Sequence, residues 1–532
     1  MTGYIVALFT ILYRIPLINF LGDKGVGYYS ISYEIYLLLA SLLAYALPQT
    51  VCNLLKVKLE KNEYRQAYRV FDSCIKALLI SSSLIAVALV LFSKILASYA
   101  LKADFTMYSI WIIAPCIIFA CMSGVMRGFF MAFKPDYKHN IPAYVQELVT
   151  IVTSLIFTFL FTKLGSNLSI SKGNSLYESA FSAMGAMLGI MTGLMISLIF
   201  MYSLYIICRK SFKKQIHRDH SRAYKTSKRK TLKQLIILMT PVTLIPTFYY
   251  LSNISDYVIF NRIMSVQGML EGNYMILLGM FNGKYDFFIS LPMLFANWMA
   301  SSRIKELTNI AHSGNKRQMH TLMSKCLRYT IIGIIPCIIS YIVFAKPLMD
   351  MLFITPNDTA AVMLRIGAIS ALFYSLAALS NAALSALDDW ATAAKNVIYA
   401  TVIHIIVLLA MMIIFQWGIY AVVASRIVFA ASICILNEHS LRERIGFIKE
   451  QKRTFTIPLL AGLSMLIVSM IVYFAFRIIF GNLVGAFFSL IISLVVYLSI
   501  LIYLGGISSR EMYQLPFGKH LAPLCKKLHL LR

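Results

Sequence analysis

Most of the chain consists of apolar stretches that are each long enough to cross a lipid bilayer. A transmembrane helix needs about 20 mainly apolar residues. Stretches of this kind lie near residues 3–21, 28–55, 71–98, 107–133, 143–162, 179–208, 235–260, 283–302, 327–352, 360–387, 393–415, 418–436, 455–479 and 482–504. Because 59% of the residues are hydrophobic and only 13% are charged, a water-soluble globule could not hide this apolar surface. The sequence therefore predicts an all-α polytopic membrane protein with about 14 transmembrane helices.

Basic residues are distributed unevenly over the predicted loops. The net charge of the chain is +27. If the N-terminus is cytoplasmic, the loops and tail on that side contain 35 Lys and Arg residues, whereas the opposite side contains 8. The positive-inside rule then places both termini in the cytoplasm. We interpret the charge as a topology signal and a contact surface for anionic membrane lipids, and we expect no nucleic-acid partner.

The first two apolar stretches predict a helical hairpin with one charged residue on each arm. The glycine-rich segment Gly22–Gly27 is the predicted turn. Arg14 lies eight positions before this turn and Glu34 lies seven positions after it, so we expect the two at a similar depth. A charge at the bilayer centre costs about 2.5 to 3.5 kcal/mol on insertion scales, and it needs a partner or a wet cavity. The two residues could form a structural ion pair, or Arg14 could line a cavity and bind an anionic substrate group.

Other polar residues and one proline in the apolar stretches are further candidates for substrate binding, ion binding or helix bending. Arg127 and Glu147 lie at similar depths near the cytoplasmic ends of the fourth and fifth stretches and could pair; Arg127 is either a headgroup anchor or a cavity-lining residue. Asp256, near the outer end of the seventh stretch, could bind a coupling cation, pair with Arg262 or be a solvated acid at a helix end, and Glu147 is a further residue of the possible ion site. Pro48 should kink the second helix, either as a hinge or only for packing.

The two halves of the chain resemble each other. The segment from Ser123 to Asn140 corresponds to the segment from Ser380 to Asn396, and each is followed by an apolar stretch that ends at a glycine. We predict two parallel repeats related by a pseudo-twofold axis along the membrane normal. The predicted domains are an N-terminal six-helix lobe (1–208), a basic cytoplasmic linker (209–234), a C-terminal six-helix lobe (235–453), helices 13 and 14 (454–505) and a cytoplasmic tail (506–532).

The nine cysteines show no CxxC spacing, and none lies in a predicted exterior loop, so we expect neither a disulfide nor a metal site. The first apolar stretch has no basic segment before it, and we expect it to be retained as a transmembrane helix.

Two segments carry a resemblance to a known family. They are ILYRIPLINFLGDKGVGYYSISYEIYLLLASLLAYALP near the start and MRGFFMAFKPDYKHNIPAYVQELV around the fourth and fifth stretches. Together with the 14-helix plan, they resemble the stage V sporulation protein B and polysaccharide-biosynthesis branch of the multidrug/oligosaccharidyl-lipid/polysaccharide exporter superfamily. This branch includes relatives of the MurJ-type lipid II flippases, and the resemblance spans the whole chain.

The resemblance implies a V-shaped pair of lobes around a cationic cavity in a bacterial cytoplasmic membrane. It implies alternating access that carries a polyprenyl-diphosphate-linked cell-wall precursor to the outer leaflet. Arg14 resembles a family arginine implicated in diphosphate binding, whereas a second family arginine falls on Ala7. Helices 13 and 14 resemble a pair that forms a groove for the lipid tail. No cofactor is implied; the coupling ion (Na⁺ or H⁺) stays open, as does the oligomeric state, for which we expect a monomer.

Three other functions are compatible with a polytopic helical protein. The chain could export capsular or other lipid-linked polysaccharide units, or it could be a multidrug or cation antiporter of the same superfamily. An antiporter would favour acidic residues deep in the first lobe, where this chain has Arg14. An enzyme is not expected, because the longest predicted exterior segments, 163–178 and 261–282, lack a clustered acid, base and nucleophile.

Overall fold

The computed structural model describes residues 2–133, 141–219, 228–447, 450–507 and 511, and their regular structure is entirely helical. The α-helices are α1 (Thr2–Leu12), α2 (Arg14–Leu43), α3 (Leu47–Leu59), α4 (Tyr64–Ile95), α5 (Met107–Phe133), α6 (Ile141–Lys172), α7 (Leu176–Arg218), α8 (Lys228–Val266), α9 (Glu271–Gly279), α10 (Asp286–Ser313), α11 (Lys316–Leu352), α12 (Asp358–Gly367), α13 (Ser370–Ala386), α14 (Trp390–Ile413), α15 (Ile419–Ile445), α16 (Ile457–Phe480) and α17 (Asn482–Tyr503). The predicted all-α class is confirmed.

Apolar helices of spanning length dominate the described residues. Eleven are long and apolar enough to cross a membrane, or 12 if the bent pair α12 and α13 counts as one span. The predicted first and second spans fall together in the 54-residue segment Val6–Leu59, and the predicted span 283–302 falls in α10, which is not among the eleven. The exact number of 14 spans stays a prediction.

Two compact units divide the chain. The first contains Met1–Gly283 and Leu408–Ile419, and the second contains Lys284–Val407 and Tyr420–Arg532. The predicted lobe boundaries and the repeat stay predictions. Parts of the predicted basic linker (220–227) and cytoplasmic tail (508–510 and 512–532) lie outside the described residues.

The opening hairpin reverses at a single glycine. Gly22 interrupts α2 with φ 64° and ψ 164°, a backbone conformation that residues with a side chain rarely adopt. The side chains of Tyr13 and Tyr29 are hydrogen-bonded to each other. In a straight helix, residues 16 positions apart would be separated by about 24 Å, which is beyond the reach of two tyrosines. The chain must therefore fold back at Gly22, as the glycine-rich segment predicted.

A second interruption lies directly before Pro48. α2 ends at Leu43 and α3 begins at Leu47, with Pro48 in its first turn, where a missing N–H is tolerated. α3 packs closely on α5, because a Cβ built on Gly128 would lie 2.7 Å from the carbonyl oxygen of Pro48. The second predicted helix is therefore interrupted between Leu43 and Leu47, as expected, and the start of α3 packs tightly against α5.

In the second unit, α16 and α17 form an antiparallel pair that packs on α11. The Tyr497 hydroxyl donates a hydrogen bond to the main-chain carbonyl of Ile332 (2.9 Å), and Gly462 lets α16 approach Ile335. The other faces of this pair expose large apolar side chains, including Phe474, Ile478 and Phe487. Such faces are suited to contact with lipid acyl chains.

Candidate functional site

The first unit contains a cavity of about 370 Å³. Its walls come from α2, α3, α5, α6, α7 and α8. The lining residues are Tyr36, Leu37, Ala40, Ser41, Ala44, Tyr45, Pro48, Ala120, Ser123, Gly124, Arg127, Ala143, Gln146, Glu147, Leu194 and Tyr250. The structure thus brings together three residues that the sequence singled out separately, namely Arg127, Glu147 and Pro48. We call this space the first-unit cavity.

Arg127 supplies the positive charge of the first-unit cavity. It lies on α5 between Gly124 and Gly128, the two glycines through which α5 meets α3. Its Nε atom is buried and has no hydrogen-bond partner among the described residues. A buried donor without a partner costs about 1 to 3 kcal/mol, so this guanidinium has unused capacity to bind an acceptor. Of the two interpretations open from the sequence, the geometry places Arg127 in a cavity lining.

Glu147 faces the same cavity from α6. Its Oε2 accepts a weak hydrogen bond from the Thr10 hydroxyl at 3.4 Å, which links α1 to α6. No ion pair joins Glu147 to Arg127 in the part of the chain that the structure describes. The predicted Arg127–Glu147 pair is therefore not formed there, although both charges border one space.

Tyrosines form a continuous wall beside these charges. Tyr29 and Tyr33 are stacked with ring centroids 5.5 Å apart, and Tyr36 follows at 6.3 Å from Tyr33. Tyr36, Tyr45 and Tyr250 reach the cavity itself. Aromatic faces and hydroxyl groups together suit a ligand that is partly apolar and partly rich in hydrogen-bonding groups, such as a sugar.

Serines and an amide add further hydrogen-bonding groups to the first-unit cavity. Ser41, Ser123 and Gln146 line it, and the Ser41 hydroxyl lies 3.0 Å from the hydroxyl of Thr247. Sequence reasoning missed these residues and the tyrosines. Their common signal is a polar or amphipathic side chain inside an apolar stretch, but that pattern alone does not show which side chains share a space.

Arg14 lies outside the lining of this cavity and contacts a main-chain acceptor instead. Its Nη2 donates to the carbonyl oxygen of Asn282 at 2.9 Å. The Asn282 side chain is itself held, because its Oδ1 accepts from the Tyr257 hydroxyl at 2.9 Å. Arg14 is therefore positioned by the short π-helix Met280–Tyr285 that contains Asn282.

Glu34 lies on the second arm of the hairpin and accepts a hydrogen bond from the Asn253 amide at 3.1 Å. The predicted equal depth of Arg14 and Glu34 assumed a turn spanning Gly22–Gly27. The structure reverses at Gly22 alone, so the residue as far from the reversal as Arg14 is at position 30. Glu34 is four residues further along the second arm, which corresponds to about 6 Å along the helix axis.

The predicted ion site is divided in the structure: Glu147 lines the first-unit cavity, and Asp256 and Arg262 differ in environment. Asp256 is fully buried on α8 (0% exposed), whereas Arg262 is exposed and donates to the carbonyl of Tyr99 at 3.0 Å. Residues six positions apart point about 120° apart around a helix, which separates these two side chains. The interpretation of Asp256 as a solvated acid is therefore wrong, and Arg262, its predicted partner, contacts the Tyr99 carbonyl instead.

Lys284 is one of the eight Lys and Arg residues that the charge distribution places on the exterior side, but it is fully buried in the second unit. Its Nζ donates to the Thr355 hydroxyl at 2.7 Å and to the Pro356 carbonyl at 2.9 Å. These neutral acceptors lie in the segment before α12, which only tertiary structure brings close. A single lysine between glycine and tyrosine in the sequence gave no signal of this burial.

Similar folds occur in two kinds of solved membrane protein. A structure of the lipid II flippase MurJ in an inward closed conformation has a TM-score of 0.66 and 16% identity, with coverage of 94% of this chain and 98% of that chain. An inward-facing multidrug resistance MATE family transporter of the MOP superfamily has a TM-score of 0.64 and 12% identity, with 82% and 94% covered. These likenesses establish the fold.

The comparisons at the level of sequence assign the family. No curated protein sequence matches the chain. A family model described as "Polysaccharide biosynthesis protein" matches residues 1–302, which is more than half of the chain and includes every residue of the first-unit cavity. The resemblance predicted from the two sequence segments is therefore confirmed. The chain belongs to the polysaccharide biosynthesis protein family.

Proposed function

We propose that this protein is a flippase that moves a polyprenyl-diphosphate-linked saccharide, a lipid II-like cell-wall precursor, from the inner to the outer leaflet by alternating access. The observation that carries the proposal is the membership of the polysaccharide biosynthesis family in a chain whose fold matches a lipid II flippase over 94% of its length. No catalytic step is proposed.

The chemistry of such a substrate explains why a protein is needed. A diphosphate and a sugar cannot enter hydrocarbon without losing their hydration, which costs many kcal/mol for an ionised group. The polyprenyl tail, in contrast, can stay in the lipid throughout. A transporter for this substrate therefore needs polar groups at membrane depth for the headgroup and an apolar surface for the tail.

The first-unit cavity supplies polar groups of this kind. Arg127 offers an unpartnered Nε donor for a phosphate oxygen, and charge-assisted hydrogen bonds of this type are stronger than neutral ones. Tyr36, Tyr45 and Tyr250 offer ring faces and hydroxyls for a saccharide. Arg14 lies outside the lining of this cavity, at the Asn282 carbonyl, and we assign it to diphosphate binding as a second cation because it resembles the family arginine.

Other substrates within the same framework are the alternatives. Capsular or other lipid-linked units would use the same cation and tyrosines. The MATE-like fold also leaves a drug or cation antiporter open, and Glu147 in the first-unit cavity is the group that favours it, because a carboxylate attracts a cation. We favour the anionic lipid-linked substrate, because Arg127 in the same cavity would repel a cationic drug.

A reconstituted assay tests the proposal. The purified full-length chain is placed in proteoliposomes with a fluorescent lipid II-type precursor, and the fraction of headgroup that becomes accessible to an external quencher is followed over time. We expect faster exposure than in protein-free vesicles, and we expect Arg127→Ala to lose most of the rate. Lys76→Ala, which changes an exposed lysine on α4, is the matched control and should transport normally.

Two outcomes would count against the proposal. Equal exposure in protein-containing and protein-free vesicles would rule out this precursor as a substrate. Export of an organic cation by the same vesicles, inhibited by Glu147→Gln, would establish the antiporter instead.

A further inference from the structure

Four tyrosines connect the first-unit cavity with Arg14. On the second arm of the opening hairpin, Tyr29, Tyr33 and Tyr36 recur at intervals of four and three positions, so they lie on one face of α2. Their successive ring centroids are 5.5 Å and 6.3 Å apart. The Tyr29 side chain is hydrogen-bonded to that of Tyr13, which directly precedes Arg14 on the first arm. We call Tyr13, Tyr29, Tyr33 and Tyr36 the tyrosine row.

The two ends of the tyrosine row lie at two different cations. At one end, Tyr36 lines the first-unit cavity, which also contains Arg127. At the other end, Arg14 is close enough to Tyr13 and Tyr29 to interact with both electrostatically. The helix rises about 10 Å from Tyr29 to Tyr36, so an unbroken series of rings joins the cavity to the surroundings of Arg14.

The middle of the tyrosine row faces the inside of the first unit. Tyr33 interacts electrostatically with Glu147 on α6 and Tyr250 on α8, both of which line the first-unit cavity. Tyr29 and Tyr33 nevertheless keep part of their surface exposed, whereas the neighbouring Tyr28 is fully buried. Rings that served only to pack helices would be covered on all sides, as Tyr28 is. The exposed ring surface is therefore available to a ligand.

Tyrosine side chains combine two kinds of group that suit a saccharide. The ring faces offer apolar surface to the C–H faces of a sugar ring, and the hydroxyl groups can donate and accept hydrogen bonds with sugar hydroxyls. These contacts are weaker than charge-assisted hydrogen bonds, so a bound sugar can exchange one ring for the next. A row of such rings can therefore hold a saccharide at several overlapping positions.

We propose that the tyrosine row is a binding surface for the saccharide of the transported lipid, along which the headgroup passes between the first-unit cavity and Arg14. The proposal rests on the function proposed above and adds the path of the headgroup. The saccharide stacks on Tyr29, Tyr33 and Tyr36, while its diphosphate exchanges Arg127 for Arg14. The rings thus recognise the sugar, and the two arginines recognise the diphosphate.

Reactivity of an introduced cysteine tests the tyrosine row without any transport. Tyr33→Cys, in the full-length chain in nanodiscs, should react with a water-soluble maleimide faster than the native cysteines of the wild type. A water-soluble disaccharide diphosphate should slow this reaction several-fold, whereas inorganic diphosphate or an organic cation should not. Tyr29→Cys should behave in the same way, and it replaces Tyr33→Cys if that variant does not fold.

The matched control for this measurement is Tyr202→Cys. Tyr202 is an exposed tyrosine on α7 that is also stacked on a neighbouring ring, that of Tyr205. Its cysteine should react equally with and without the disaccharide diphosphate. Absence of any reaction at positions 29 and 33, or equal protection by inorganic diphosphate or by the organic cation, would overturn the proposal.

Transport of two matched substrates separates the tyrosine row from the proposed function. One is the fluorescent lipid II-type precursor, and the other is the same polyprenyl diphosphate with the fluorophore but without the saccharide. Tyr33→Leu, which removes the ring, should slow transport of the first about tenfold and of the second much less, since one ring contact supplies an effect of this order. Tyr33→Phe keeps the ring and should retain most of the rate, and the control Tyr202→Leu should transport both normally.

The outcomes of this comparison are distinguishable. Equal losses for the two substrates in Tyr33→Leu would show that the row only packs helices, and unchanged transport of the precursor would also overturn the proposal. If the wild type transports neither substrate, the proposed function fails. Protection of Tyr33→Cys by the disaccharide diphosphate then still supports saccharide binding at the tyrosine row, and lack of protection contradicts it.

Discussion

At the scale of single residues, the Nε atom of Arg127 is a buried donor without a hydrogen-bond partner among the described residues, and it lies in the wall of a cavity. Most buried polar atoms have a hydrogen-bond partner, and an unsatisfied one lowers stability. The Nε of Arg127 is buried without one among the described residues, beside a cavity of about 370 Å³. A side chain that lowers the stability of the fold and faces an open space is better explained by ligand binding than by packing.

This explanation predicts opposite effects of Arg127→Ala on function and on stability. Transport of the lipid-linked precursor should fall at least tenfold, because loss of a charge-assisted hydrogen bond is worth about 1.5 to 3 kcal/mol. The unfolding temperature should stay equal or rise, since no partner is left unsatisfied. A clear fall in unfolding temperature, measured with the transport rate on one preparation, would show that Arg127 is structural.

Arg14 and Glu34 lead to a second residue-scale prediction. Arg14→Ala should abolish transport while the protein is still inserted, and Glu34→Gln should be milder, because its amide can still bond with Asn253. Transport rates normalised to the amount of folded protein measure both. Equal losses for the two variants would contradict this order, and unchanged transport in Arg14→Ala would remove it from the site.

At the scale of helices, the contact between α3 and α5 determines the shape of the first-unit cavity. Gly128 approaches the Pro48 carbonyl and Val51, whereas Gly124, one turn earlier, meets the more adaptable side chain of Leu47. Small residues permit such close contact between helices in membranes. The contact holds Arg127, which lies between the two glycines, at the cavity wall.

Substitution of these two glycines should therefore have unequal effects. Gly128→Ala places a methyl group 2.7 Å from a backbone oxygen and should lower stability by about 1 to 3 kcal/mol. Gly124→Ala, at 3.1 Å from the Leu47 Cβ, serves as the matched control and should lower it by less. Unfolding temperatures of both variants measure the difference, and the reverse order would contradict the prediction that the Gly128 contact is the tighter one.

The helices were largely predictable from the sequence, whereas their exact geometry was not. Apolar stretches of spanning length are a local property, so all the predicted spans are largely helical, although the spans 3–21, 28–55 and 360–387 each cross a break between two helices. The register of the hairpin was harder to predict, because any of the three glycines Gly22, Gly25 and Gly27 can host a reversal, and the structure has it at Gly22. The burial of Lys284 depends on acceptors about 70 positions later and was missed for the same reason.

For the candidate site, the depth of a residue along an apolar stretch could be predicted from the sequence, whereas the partners of its side chain could not. Arg127 and Glu147 were paired by depth, and they do border one cavity. The tyrosines of α2 could not be separated in the sequence from an ordinary packing stripe, because both patterns repeat with the helical period. A position along an apolar stretch thus predicts a layer of the membrane, and only the packing of six helices shows which residues of that layer meet.

At the scale of the whole molecule, the fold does not identify the substrate, since a lipid II flippase and MATE transporters have similar folds. Depletion of the protein in its native host should cause a lipid-linked saccharide precursor to accumulate on the inner leaflet. Extraction and mass analysis of polyprenyl-linked sugars would identify the headgroup and distinguish wall precursors from capsular units. Normal precursor levels with reduced dye efflux would establish the antiporter.

The interruption between α2 and α3 lies at the wall of the first-unit cavity, so a bound ligand would affect the backbone there. Ala44 and Tyr45 share one carbonyl acceptor, that of Ala40, so the regular ladder of main-chain bonds is already broken before Pro48. Fewer regular main-chain bonds hold the backbone there than in an unbroken helix, so bending at this point breaks fewer of them. The same residues, Ala44, Tyr45 and Pro48, line the cavity, so an occupant would contact the interrupted part of the backbone. Under the proposed transport, a bound substrate would therefore make this part of α2 and α3 more rigid, and release of the substrate would let the backbone bend there again.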